Sequence, residues 1–190
     1  MKNVFIIHSY NGDTANSFAP SIKKLCEENN INYYFPEFPI RQEAKYESWE
    51  KILNEYVDKE LLNEDSIVIS HSLGTLFLPK YLAKNNIKIN TYISVAGFLN
   101  YKGRIDLENI IIRFLPNEQE FEKCKTLIKN IYSIYSDNDE INSIKNLEDY
   151  ANKLNSEKIF IKGAGHFNPK SNVKNISELN EIILETNIKH

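Results

Sequence analysis

Six short apolar runs recur along the chain, and a longer amphipathic stretch or a turn-rich loop separates each from the next. The runs are Val4–Ile7, Ile31–Phe35, Ser66–Ser70, Thr91–Ala96, Asn130–Ser136 and Lys158–Ile161. They are rich in β-branched and aromatic residues, which suit strands. Residues 14–29, 46–62, 73–84 and 143–154 between them, and 176–186 after the last, read as helices; 46–62 places Trp49, Ile52, Leu53, Tyr56, Val57 and Leu61 at three- to four-residue spacing, the period of a helix. Strands alternating with helices imply a parallel sheet with helices on both faces, because parallel neighbours need a crossover. Runs that are continuously apolar fit strands buried on both sides.

The chain length of 190 residues suits one domain, taken as residues 1–190. Apolar residues make up 42% and charged residues 26%, which excludes global disorder. The net charge of −3, with Lys and Arg dispersed among acids, argues against a nucleic-acid partner. Cys26 and Cys124 both fall in helix-like segments and read as reduced, partly buried thiols. No Cys/His cluster points to a metal. The first apolar run is too short for a signal peptide or a membrane span, so the expected address is the cytoplasm, with no membrane partner.

In open parallel sheets, ligands bind outside the carboxyl ends of the strands. Four strand ends carry chemistry: His8-Ser9-Tyr10, Ser70-His71-Ser72-Leu73-Gly74, Asp137-Asn138-Asp139 and Gly165-His166. A hydroxyl, a carboxylate and an imidazole therefore arrive in that order just past strands three, five and six. The second of these ends is the most specific. A serine on a sharp strand-to-helix turn needs small residues two before and two after it, and Ser70 and Gly74 qualify. The following helix would aim its N-terminal amides at charge developing near Ser72. Ser72 is the candidate nucleophile and His166 the base that activates it. Either Asp137 or Asp139 would orient the imidazole, and a turn of this composition needs no function to explain it. His71 reads as a packed structural histidine. His190, at the chain end, is expected to be disordered.

With these motifs the chain resembles the small serine hydrolases of the α/β-hydrolase superfamily, the group that includes retinoblastoma-binding protein 9 and its bacterial relatives. The resemblance also uses Phe35-Pro36-Glu37-Phe38-Pro39 followed by Trp49, and Gly163-Ala164-Gly165-His166-Phe167. It implies a minimal α/β-hydrolase fold: a three-layer sandwich with a six-stranded parallel sheet in the order 2-1-3-4-5-6. It implies Asp139 as the acid, from the frame Ser136-Asp137-Asn138-Asp139 with Ile141 following. It implies backbone oxyanion donors at Tyr10 and Leu73, and a structural or loop-organising role for His8. Ser70 stands where the family usually has Gly, which predicts slight strain; Ser9 is a second departure, where Gly often follows the histidine.

The implied activity is cleavage of a small carboxylic ester, thioester or amide through an acyl-enzyme on Ser72, with no cofactor. The competing reading is a protein-binding module on a hydrolase fold, with a possible protein partner. A nucleotide-binding domain is disfavoured, because neither G-x-G-x-x-G nor G-x-x-x-x-G-K-[ST] occurs. Residues 97–129 contain a helix-like run at Glu118–Lys129 and leave little room for a lid, which predicts a modest site. Trp49 is expected to serve packing more than a pocket wall. The role of Glu37, and the oligomeric state, stay open.

Overall fold

The computed structural model describes residues 2–188, so the expectation for His190 lies outside the described residues. The elements run β1 (Asn3–Ile7), α1 (Ala19–Glu28), β2 (Asn32–Tyr34), α2 (Tyr46–Asp58), β3 (Ile67–His71), α3 (Leu73–Asn85) and β4 (Ile89–Val95). They continue α4 (Ile105–Phe114), α5 (Glu118–Thr126), β5 (Ile128–Tyr135), α6 (Ile144–Lys153), β6 (Glu157–Phe160) and α7 (Ser177–Ile188). All six strands are parallel, in the order β2-β1-β3-β4-β5-β6. This is the sheet that the motifs imply.

Alternate side chains of the strands feed two cores. Val4, Ile6, Ile67, Ile69 and Ile93 point to the layer of α1 and α7. Phe5, Ile7, Val68 and Tyr92 point to the layer of α2, α3, α4 and α5. Every residue of β1, β3 and β4 is buried, whereas the edge strands β2 and β6 are short and partly exposed. Short edges leave few unpaired backbone groups for another chain to pair with. Trp49 is fully buried, stacked 4.6 Å from Phe38 with its indole N–H on the Pro39 carbonyl. It is core, as expected, while Glu37 is exposed on the loop beside it.

Three helical segments differ from the sequence reading. The stretch 14–29 is not one helix: a 3-10 turn covers Asp13–Asn16, and α1 starts only at Ala19. Pro20 lies in the first turn of α1, where its missing N–H does no harm; deeper in a helix it would remove a bond. The stretch 46–62 ends at Asp58; beyond it Glu60 takes a positive φ, and the amides of Leu61 and Leu62 both turn back to the Tyr56 carbonyl. The run Glu118–Lys129 stops at Thr126, because Ile128 and Asn130 are already taken up by pairing with β4.

One helix escaped the sequence reading. α4 fills residues 105–114, and Leu107, Ile110, Ile111 and Phe114 form its inward stripe. Ile105 and Ile112 stay exposed on its outer side.

The tightest joint in the fold lies where α3 leaves the sheet. A Cβ placed on Gly74 would stand 2.7 Å from the Ile7 carbonyl oxygen and 2.9 Å from that of His8. Both are backbone atoms and cannot swing aside. Gly74→Ala is therefore expected to push α3 off the end of β1 and cost about 1–3 kcal/mol, measured by urea unfolding against wild type.

Candidate active site

The strand-to-helix turn after β3 puts Ser72 at φ 52° and ψ −116°, a sparsely populated region for a non-glycine residue. Three contacts hold it there. The Ser72 amide donates to the Val95 carbonyl of β4. The Thr75 hydroxyl donates to the Ser72 carbonyl at 2.6 Å. Gly74 allows the close approach already described. Leu73 opens α3, so its N–H belongs to the first-turn amides that lack an intrahelical acceptor.

Ser72, His166 and Asp139 come together in one series. His166 Nδ1 lies 2.7 Å from Asp139 Oδ2, and His166 Nε2 lies 3.0 Å from Ser72 Oγ. A carboxylate only accepts, so the ring proton sits on Nδ1 and Nε2 presents its lone pair to the Ser72 hydroxyl. The other oxygen of Asp139 accepts the amides of Ile141 and Asn142 at 2.8 and 2.9 Å, which fixes the plane of the carboxylate. Both partners of this hydrogen bond are almost completely removed from solvent.

The structure separates the two acids that the sequence left open. Asp137 does not reach the imidazole. It accepts the Gly163 amide at 2.8 Å, and that N–H holds its carboxyl below the usual range. The next rungs follow the same pattern: Ala164 N–H donates to Ser136 Oγ at 2.9 Å, and Gly165 N–H to Asn138 Oδ1 at 2.7 Å. Three consecutive amides before His166 are thus bound by three consecutive side chains after β5. Gly165 has φ 58°, and a Cβ there would meet Ser171 Oγ at 2.4 Å, so the turn that delivers His166 requires glycine.

Ser70, the departure from the usual glycine, shows no positive φ. Its hydroxyl donates into a buried chain: Ser70 Oγ to Tyr92 at 2.8 Å, Tyr92 to Tyr150 at 2.9 Å, and Tyr150 to the Thr75 carbonyl at 2.6 Å. The expected strain is replaced by a hydrogen-bonded brace beneath the turn. Ser9, the other departure, gives its hydroxyl to Asp13. His8 places Nδ1 2.7 Å from the Ser9 carbonyl and Nε2 3.2 Å from the Phe38 carbonyl, of which a neutral ring can donate to one, and is edge-packed on Trp49; burial pulls its pKa down.

A cleft of about 360 Å³ opens over Ser72 and His166. Tyr10 and Leu73 line it. Phe98, Tyr101, Leu107, Ile111 and Ile141 form an apolar wall, and Asp13, Glu140, Asn168 and Lys170 a polar rim. The wall residues from α4 were missed, although their i, i+3, i+4, i+7 spacing at 107, 110, 111 and 114 was available to find them. Cys26 and Cys124 are buried away from the cleft, their thiols pushed up to about 11 and about 12 by desolvation. Among the described residues, no group of three or more His, Cys, Asp or Glu side chains is placed to hold a metal, and no helix is long and apolar enough to cross a membrane.

The parallel sheet, the strained serine turn and the Ser–His–Asp series at the strand ends define the α/β-hydrolase architecture. The chain belongs to the serine hydrolase family, whose pattern it matches over residues 4–184. It is 23% identical over 168 residues to YdeN, a candidate hydrolase of Bacillus subtilis (strain 168), covering 87% of this chain and 86% of that one. The crystal structure of the ydeN product superposes over the full length of both chains with a TM-score of 0.85 at 20% identity. Est1E from Butyrivibrio proteoclasticus covers 99% of this chain and 89% of its own with a TM-score of 0.71 at 15% identity. A monoacylglycerol lipase of Paleococcus ferrophilus covers 96% and 92% with a TM-score of 0.66 at 14% identity. The protein is a hydrolase.

His71 gives a pH signature. Burial, then the neighbouring His166, brings its pKa down to about 4, while the Asp13 and Asp139 carboxylates pull the other way. An unfolded histidine titrates near about 6.5. Between these values the unfolded chain binds the extra proton, so stability is complete above pH 6.5 and falls as the pH drops towards 4. His71→Gln should flatten that slope by about 1.4 kcal/mol per pH unit, read from urea unfolding between pH 7 and pH 4.

Proposed function

We propose that the protein cleaves a small carboxylic ester, thioester or amide by acyl transfer through Ser72. One observation carries the reading: the Ser72 hydroxyl, the His166 ring and the Asp139 carboxylate stand in hydrogen-bonded series at the floor of a largely apolar cleft.

Ser72 Oγ attacks the substrate carbonyl carbon as its proton passes to His166 Nε2. Asp139 keeps the ring in the required tautomer and stabilises the imidazolium. The carbonyl oxygen becomes an oxyanion, which the amides of Leu73 and Tyr10 receive. The tetrahedral intermediate collapses, the carbon–leaving-group bond breaks, and the leaving group takes the proton from His166. Water then attacks the acyl-enzyme with His166 again as base, which releases the acid and restores Ser72. The apolar wall of Phe98, Leu107 and Ile111 suits the acyl group, and a 360 Å³ cleft suits a small one.

A fluorophosphonate, which reacts with activated serines, should form one adduct on Ser72 by mass spectrometry and none on Ser72→Ala. A folded wild-type protein that takes no label would overturn the assignment and favour a binding module on this fold. Ser72→Ala and His166→Ala should each abolish ester turnover with the fold intact. Asp139→Asn should lower kcat by about 10⁴-fold, while Asp137→Asn keeps activity. An inactive Asp137→Asn beside an active Asp139→Asn would reverse the choice of acid.

A further inference from the structure

One buried side chain outside the proposed triad touches both sides of the site. His71, fully buried, precedes Ser72. Its Nε2 lies 2.8 Å from the backbone carbonyl of His166, and its Nδ1 lies 2.8 Å from Thr14 Oγ1. Thr14, also fully buried, accepts the Ser9 backbone N–H at 3.1 Å. Phe18 meets the His71 ring edge-on at 5.6 Å and limits its rotation.

The direction of every bond is set by the ends of the chain. The His166 carbonyl only accepts, so His71 Nε2 must carry the ring proton. With the ring neutral, Nδ1 keeps a lone pair and takes the Thr14 hydroxyl proton. The Thr14 oxygen is then left to accept from Ser9. The order is Ser9 N–H to Thr14, Thr14 O–H to His71, and His71 N–H to the His166 carbonyl. Reversing any link would leave a donor facing a donor, so only one arrangement satisfies all four groups.

Both ends abut the proposed machinery. Ser9 precedes Tyr10, the proposed oxyanion donor, and His166 carries the proposed base. We infer that Thr14 and His71 act as a strut of fixed polarity that sets the span between the Tyr10 amide and the His166 imidazole, on either side of Ser72. Both are positioning residues, since neither lines the cleft. The inference rests on the acyl-transfer reading above. Misplacing a reacting group by about 1 Å can cost about 10²-fold in rate.

Thr14→Val keeps the side-chain shape and removes both hydroxyl bonds; Thr14→Ser restores them. The full-length variants are assayed with p-nitrophenyl acetate, and rates are normalised to sites labelled by fluorophosphonate. Thr14→Val is expected to lower kcat per labelled site by about 10- to 100-fold with KM within about twofold, and Thr14→Ser to recover most of it. A merely structural role would reduce the labelled fraction and the Tm but leave kcat per labelled site at the wild-type value; that result overturns the strut. If Thr14→Val does not fold, Thr14→Ala carries the same test, because it also removes the hydroxyl that bridges the Ser9 amide and His71 Nδ1. A wild-type kcat per labelled site in that variant overturns the strut equally. Wild-type protein that is neither labelled at Ser72 nor dependent on Ser72 for turnover overturns the acyl-transfer reading, and the strut with it.

Discussion

The site depends on keeping one residue in an unfavourable backbone conformation. Ser72 at φ 52° stores strain of about 1–3 kcal/mol. The surrounding structure over-determines it. The sheet holds its amide through Val95, the first turn of α3 holds its carbonyl through Thr75, and β1 meets Gly74 with no space to spare. Beneath the turn, the hydroxyls of Ser70, Tyr92 and Tyr150 run to the Thr75 carbonyl, with no buried polar atom in that series unpaired. A satisfied buried network rigidifies its surroundings, whereas an unsatisfied one costs stability. The serine at position 70 is therefore part of the brace and not a defect in the motif.

The histidine arm solves a different problem. It hangs from β6, a four-residue edge strand that is mostly exposed and contributes little packing of its own. Precision comes instead from the loop after β5, whose Ser136, Asp137 and Asn138 bind the three amides ahead of His166, while Asp139 binds the ring. Four consecutive residues thus divide one task, three holding the backbone and one the imidazole. The strut from Thr14 joins the same arm from the opposite side.

The parallel sheet and the positions of Ser72 and His166 were legible in the sequence because buried parallel strands have a strong signature and their ends are where polar residues converge; the strand order came from the family resemblance. The choice between Asp137 and Asp139 was not legible from spacing, since both follow the same strand; it turns on which carboxylate the loop rotates inward. Thr14 was hidden because the sequence reading absorbed it into a helix. Only Pro20, in the first turn, hints that α1 starts later, and a threonine in a 3-10 turn gives no sign that its hydroxyl meets a histidine 57 positions away. α4 was missed for a different reason: its stripe is regular, but three consecutive isoleucines at 110–112 blur the contrast between its faces.

α4 contributes wall residues to the cleft and none of the side chains in the Ser–His–Asp series. Those come from the ends of β3, β5 and β6, whereas α4 lies within the excursion between β4 and β5, outside the sheet. The wall of the cleft and the Ser–His–Asp series therefore occupy separable stretches of the polypeptide. The segment 98–116 can change in length or composition without altering strand register, which makes it the natural site for divergence among proteins sharing this scaffold, and the place to reshape the cleft.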